Sequence, residues 1–274
     1  LIASAHTDYE RYAARYGKWL VSFVRPGWHY LRWFYGHAHR VLCPSRVYER
    51  HLHDRGVRHT GLWSRGVNSE EFSPAHRSEA WRAQFGVGPD DPLVAYVGRV
   101  APEKNLPLLL DAWDRLGARR GRAQLVIVGE GLMVEPIRQR RPRAVHLVGF
   151  LHGADLSTAY ASADILAFPS TTETFGNVLL EAMASGAAPI AAAAGGVLDF
   201  AEHERNALLA APDSVESFGR QLERLMADAS LRRELSRNAR ATGVDRNWDT
   251  IYDGLLDEYE AAIVSRRRGL RRAA

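Results

Sequence analysis

From residue 93 onward the chain alternates continuous apolar runs with amphipathic stretches. Each run ends in glycine, proline or serine: Leu93 to Gly98, Val126 to Gly129, Ala163 to Pro169 and Ala187 to Gly196. Short apolar runs bounded by such breakers are strands covered on both faces, and the segments between them are long enough for crossover helices. The pattern over 76–244 therefore predicts a complete doubly wound α/β domain. In such a sheet the loops after the strands gather at one edge, where open α/β sheets bind ligands.

The loop after Ala163–Pro169 is the most informative of these. A Ser-Thr-Thr cluster leads into Glu173-Thr-Phe-Gly-Asn-Val-Leu-Leu-Glu181, which reads as strand, loop and helix. Asn177 is a suitable N-cap, and a helix is expected over Val178 to Ala184, stopping near Gly186. The backbone N–H groups of Phe175, Gly176, Asn177 and Val178 then point past the strand end with the helix dipole behind them, a setting for a diphosphate. Glu173 just before the helix and Glu181 one turn into it can flank one cleft and accept sugar or ribose hydroxyls. A glutamate near a helix start also serves the dipole alone, so the motif leaves both readings open.

Arg99 and Lys104 follow the strand that begins at Leu93, and Lys104 to Leu116 reads as a helix with Leu106, Leu109, Leu110 and Trp113 at helical spacing. Two cations at a strand's carboxyl end neutralise a diphosphate and stabilise it as a leaving group. Their usual fate is solvation at the surface, but their loop falls at the same sheet edge as the Glu173 loop. The glycines at 129, 131, 195 and 196 fit tight turns as well as phosphate loops.

Together, "VGRVAPEKN" around Arg99 and Lys104, "VGEG" at 128–131, the Glu-x7-Glu segment 173–181, "LLEAMASG" at 179–186 and "AGG" at 194–196 resemble the retaining nucleotide-sugar glycosyltransferases of family 4, with the two-Rossmann-domain architecture called GT-B. "SAHTDYERYAARYG" at 4–17, "RVLCPS" at 40–45, "WSRGVNSEEFSP" at 63–74 and "NWDTIYDGLLDEY" at 247–259 resemble the branch of GDP-mannose-dependent α-mannosyltransferases and sulfoquinovosyltransferases. The resemblance implies that Arg99 and Lys104 hold the donor diphosphate with the amides of 175–178. It likewise implies that Glu173 takes the hydroxyls of the transferred sugar and Glu181 those of the ribose. His6 corresponds to the histidine brought against the donor sugar from the N-terminal domain, and Phe150 and Leu151, after the strand Val145 to Val148, fall where the base is contacted.

The fold class expected is thus α/β of the GT-B type: a complete C-terminal Rossmann-like domain at 68–244, a partial N-terminal Rossmann-like domain at 1–67, and a crossover helix with a basic tail at 245–274. Within 1–67 the pattern places strands at 1–5, 41–43 and 59–63 and helices at 8–17, 28–40 and 45–55, with a linker over 68–75. The partial first domain is inferred because the chain opens at Leu1 where the family's first domain is already under way. On that ground the chain is expected to bind donor while transferring sugar slowly, and an inactive nucleotide-binding fragment is the rival reading.

One cysteine, Cys43, in 274 residues rules out an internal disulfide and suits a reducing, cytoplasmic setting, with the inner membrane face as a place of work. No Cys/His spacing suits a metal, and neither metal nor cofactor is expected. No apolar run reaches membrane-spanning length. The net charge of +4 owes much to Arg266–Arg272, a run that reads as a solvated tail, and no nucleic-acid module accompanies it. The aromatics Trp28, Tyr30, Leu31, Trp33, Phe34 and Tyr35, interleaved with Arg25, His29, Arg32 and His37, suit either the core of the first domain, the favoured reading, or docking on anionic membrane beside a lipid or glycan acceptor.

The activity expected is transfer of a hexose, mannose from GDP-mannose first, to an acceptor hydroxyl with retention. UDP-hexose or UDP-sulfoquinovose is the second choice of donor, and an epimerase or phosphorylase on the same fold is the alternative enzyme.

Overall fold

The computed structural model describes residues 1–16, 19 and 22–273. The first unit is a three-stranded parallel sheet of β1 (Ile2–Ser4), β2 (Arg40–Cys43) and β3 (Thr60–Leu62), in that order. Among the described residues three helices accompany it: α1 (Tyr9–Tyr16), α2 (Val24–Gly36) and α3 (Arg46–Asp54). Val41, Cys43, Leu52, Trp28 and Tyr35 meet in its core, and burial pushes the Cys43 thiol up to about 12, far from a reactive thiolate. Helix α2 lies four residues before the expected 28–40; its buried face is made by Trp28 and Tyr35, with Val24 and Leu31 packed against the same core. Trp28 and Tyr35 are inside, while Trp33 and Tyr30 stay more than 60% exposed and Phe34 is 44% exposed. The favoured core reading therefore holds for only part of the aromatic stretch.

The second unit begins with α4 (Glu79–Ala83) and carries six parallel strands. These are β4 (Leu93–Val97), β5 (Gln124–Val128), β6 (Val145–Gly149), β7 (Ile165–Phe168), β8 (Ala188–Ala192) and β9 (Leu208–Ala210). Their order is β6-β5-β4-β7-β8-β9. The chain winds outward from β4 in one direction and from β7 in the other, so the order reverses between those two strands, where a doubly wound sheet opens its crevice. Helices α5 (Leu106–Leu116), α6 (Val134–Arg140), α7 (Gly153–Ser162), α8 (Asn177–Ala184), α9 (Val215–Ala227) and α10 (Ala229–Asp245) cover the two faces. The sheet is buried throughout β4, β7 and β8, as continuous apolar runs require.

In the second unit, too, two helix starts differ from expectation. The stretch expected as helix from Lys104 is a 3-10 turn over Pro102–Lys104, and α5 begins only at Leu106, because Asn105 takes a left-handed conformation at φ 57°. Helix α8 begins at Asn177 rather than after it: the N-cap is Gly176 at φ 106°, a conformation glycine adopts without the Cβ penalty. A Cβ there would come 2.7 Å from the Val197 side chain.

Helix α11 (Trp248–Ala273) returns to the first unit. Its Glu258 binds Arg40 at 2.6 Å and accepts from the Leu62 amide at 3.3 Å, closing the far edge of the small sheet. The arginine run continues this helix in backbone, and its side chains lie outside the described residues. Among the described residues no helix is long and apolar enough to cross a membrane.

Candidate active site

The two units meet over the carboxyl ends of β4, β7 and β8. The Asp199 carboxylate of the second unit accepts from the amides of Arg46 at 2.5 Å and Val47 at 3.2 Å, capping α3 across the interface as an N-terminal anion should. Ser45 donates to the Thr174 carbonyl at 2.6 Å, and Thr174 donates to the His6 carbonyl at 2.8 Å. These contacts place the loop after β1 directly against the loop after β7.

A cavity of about 290 Å³ opens there, lined by His6, Arg65, Glu173 and the turn Thr174 to Val178. A second, of about 520 Å³, is lined by Arg99, Lys104, Gly129, Glu130, Phe150, Leu151, Tyr160 and Glu181. The two share Val178 at the start of α8. Among the described residues the amides of Phe175, Gly176, Asn177 and Val178 have no backbone acceptor, so they remain available to an anion at this junction.

The charged groups do not stand free, as the sequence suggested they might. Lys104 Nζ lies 2.6 Å from Glu173 Oε1, which also accepts from the Ser170 hydroxyl at 2.8 Å. Arg99 pairs with Glu103 at 2.8 Å. Glu181 accepts from the Tyr160 hydroxyl at 2.7 Å, and burial raises its carboxyl above the usual range despite that bond. Leu151 lines the larger cavity, while Phe150, 71% exposed, stacks on His152 at its mouth. The structure thus gathers His6, Glu173 and residues 175–178 at one cavity and Arg99, Lys104, Glu181, Phe150 and Leu151 at the next.

Glycines 195 and 196 prove to be packing glycines. The Gly196 amide donates to the Glu173 carbonyl at 2.8 Å, and a Cβ on Gly196 would lie 2.1 Å from the Thr174 carbonyl oxygen. They let the turn after β8 press against the Glu173 loop and hold it. Arg65, Tyr160, Ser170 and Glu103 are site residues that sequence reasoning missed: Glu103 and Ser170 lie in the loops it singled out, but their pairing with Arg99 and Glu173 shows only in the structure, while Arg65 and Tyr160 reach the cleft from other elements.

His6 faces Arg65, with Nδ1 3.0 Å from the guanidinium, and meets Trp63 edge-on at 5.6 Å. A guanidinium can only donate, so Nδ1 accepts and the proton of the neutral ring sits on Nε2. Burial, and then the Arg65 charge, lower the His6 pKa. Depressing the folded-state value keeps the ring neutral to lower pH than in the unfolded chain. Folding stability from this group is therefore present above the usual value near 6.5 and falls away as pH drops below it. An NMR titration is expected to place His6 below 6.5, and Arg65→Met to move it upward. A midpoint unmoved by Arg65→Met would remove the charge as a cause.

A parallel-sheet α/β pair with a charged cleft at the strand-order reversal defines a GT-B protein. Residues 77–242 match the family described as Glycosyl transferases group 1, and residues 1–71 match Glycosyltransferase Family 4; the chain belongs to this glycosyltransferase family. It is 36% identical to a GDP-mannose-dependent alpha-mannosyltransferase of Mycolicibacterium smegmatis over 99% of this chain and 69% of that protein. It is 34% identical to the sulfoquinovosyl transferase SQD2 of Arabidopsis thaliana over 96% of this chain, and spans about half (52%) of the latter's length. Among solved structures, sucrose-phosphate synthase from Thermosynechococcus elongatus superposes with a TM-score of 0.83 at 25% identity over 96% of this chain and 68% of that one. Anabaena HepE in complex with UDP-glucose superposes with a TM-score of 0.82 at 23% identity, over 95% of this chain and 72% of that one. The last likeness bears on fold alone.

Proposed function

We propose that the cleft binds a nucleoside diphosphate hexose and transfers the hexose, with retention, to an acceptor hydroxyl. The observation that carries this reading is the junction of the two cavities at α8. There two cations and the amides of 175–178, which have no backbone acceptor among the described residues, adjoin Glu173, which shares one cavity with His6, and the buried Glu181, which shares the next with Leu151. The diphosphate sits at the junction, the hexose toward His6 and Glu173, and the ribose and base toward Glu181, Leu151 and Phe150.

Arg99, Lys104 and the amides disperse the charge that grows on the departing diphosphate, and no metal is needed for that. Glu173 is held in place by Lys104 and Ser170, which suits a group that fixes sugar hydroxyls; attack from the face of the leaving phosphate then gives retention. Mannose from GDP-mannose is the first choice of donor, supported by the mannosyltransferase relative. A UDP-linked hexose or sulfoquinovose is second, supported by the sulfoquinovosyl relative.

A lipid acceptor is favoured by the groove of about 400 Å³ between α1 and α2, lined by Tyr9, Phe23, Val24, Trp28, Tyr30 and Leu31. Exposed Trp33, Phe34, Arg25 and Arg32 stand beside it on α2. Aromatics and cations on one helix suit an anionic bilayer surface.

The test separates the parts. Glu181→Gln is expected to weaken GDP or UDP itself about tenfold, since the ribose is present in both, whereas Glu173→Gln spares the nucleotide and weakens only the sugar nucleotide. With labelled GDP-mannose or UDP-hexose and anionic vesicles of lipid extract, Trp33→Ala with Phe34→Ala should keep donor binding and lose transfer. Equal weakening of the plain nucleotide by both glutamate variants would refute the partition. Transfer undiminished by the aromatic pair would refute the docking face.

A further inference from the structure

Glu103, next to Lys104 in the 3-10 turn after β4, is wholly buried. A buried carboxylate is costly unless it is fully partnered, and this one has three partners. Arg99 Nη2 lies 2.8 Å from Oε1, the Tyr12 hydroxyl donates to Oε1 at 3.1 Å, and the Tyr16 hydroxyl donates to Oε2 at 2.8 Å. Both tyrosines belong to α1 of the first unit and stack on each other, centroids 5.9 Å apart. Arg99 Nη2 also hydrogen-bonds the Tyr12 hydroxyl, with the guanidinium 5.7 Å from that ring's centroid.

The rest of the turn is equally tied. The Tyr96 hydroxyl donates to the Arg99 carbonyl at 2.7 Å, fixing the backbone from which the arginine projects. The Thr172 hydroxyl reaches the Glu103 carbonyl at 3.3 Å, joining the loops after β4 and β7. Against this, Arg99 Nε and Nη1 have no partner among the described residues, and Arg99 lines the larger cavity. A guanidinium anchored through one nitrogen, with its other donors free, is prepared to engage phosphate oxygens in a fork.

We infer that Glu103 is a positioning residue that holds Arg99 for the donor diphosphate and ties that placement to α1 through Tyr12 and Tyr16. The inference rests on the reading of Arg99 given above. The sugar nucleotide is thus gripped fully only when α1 sits over the cleft, so the position of the first unit is felt at the phosphate site without α1 touching the donor. Were Glu103 only a tie between the two units, its loss would lower stability while freeing Arg99, and nucleotide affinity would stay the same or rise.

A double-mutant cycle decides between these, with calorimetric titration of GDP and UDP below the melting temperature of each variant. Glu103→Gln is expected to lower affinity about tenfold and Tyr16→Phe about threefold, and both losses should vanish in the Arg99→Ala background. Tyr16 is 41% exposed and hydrogen-bonds Glu103 but not Arg99, so its variant keeps the test open even where Glu103→Gln unfolds. Unchanged or tighter binding by both variants, or equal losses with and without Arg99, overturns the inference while a weakened Arg99→Ala leaves the diphosphate reading intact. Unchanged affinity in Arg99→Ala alone overturns both.

Discussion

Replacing Arg99 and Lys104 together by alanine is expected to weaken binding of GDP or UDP by at least about a hundredfold, near 3 kcal/mol, in the absence of any metal ion. The size of the effect follows from what Lys104 leaves behind. Its ammonium lies 2.6 Å from Glu173 Oε1, so its removal subtracts a cation and also unmasks an anion beside the phosphate. Arg99 contributes free donors at the lining of the same larger cavity. The single variants should therefore be unequal, with Lys104→Ala the worse, and Glu173→Gln placed on Lys104→Ala should recover part of the loss. Titration calorimetry without divalent metal gives all four constants. Affinity unchanged in the double variant would remove the diphosphate from this cleft.

The largest effect on stability is expected far from the cleft, at Arg82. This side chain is fully buried on α4. Its Nη1 binds Asp164 at 2.8 Å and the Ser162 carbonyl at 2.9 Å, and its Nη2 reaches the carbonyls of Gly88 at 3.1 Å and Asp91 at 2.8 Å. Asp164 in turn accepts from the Leu93 amide at 2.8 Å. One arginine thus fixes the starts of β4 and β7, the two strands that flank the crevice. Arg82→Met fills the volume but leaves several buried carbonyls without a donor and Asp164 with only Arg77, 3.2 Å from its other oxygen, and the Leu93 amide, at a cost of about 3 kcal/mol. Arg82→Lys, a point charge without the fork, should recover little. Denaturant unfolding followed by tryptophan fluorescence measures both; a loss under about 1 kcal/mol for Arg82→Met would show that the network relaxes around water.

The alternation of apolar runs and breakers determined the strands, because each core strand must present apolar residues to helices on both faces. It also placed Arg99, Lys104 and Glu173 at one edge of the sheet, since parallel strands with crossover helices leave no other arrangement. The glycosyltransferase family was legible too, carried by contiguous motifs. Helix starts were less so: Asn177 had the composition of a cap, yet the left-handed turn fell on Gly176, where Val197 from the next loop leaves no room for a Cβ.

What only the tertiary structure decided is which charge meets which. Lys104 and Glu173 are 69 positions apart, Tyr12 and Glu103 91, and Arg82 and Asp164 82. No local periodicity links positions so distant, and ion pairing depends on separations of a few ångströms that arise only when separate elements pack. The same holds for the aromatics of α2. Their amphipathic spacing is legible in the sequence, but whether Trp28 or Trp33 faced the interior depended on which side of the helix α1 and α3 came to cover.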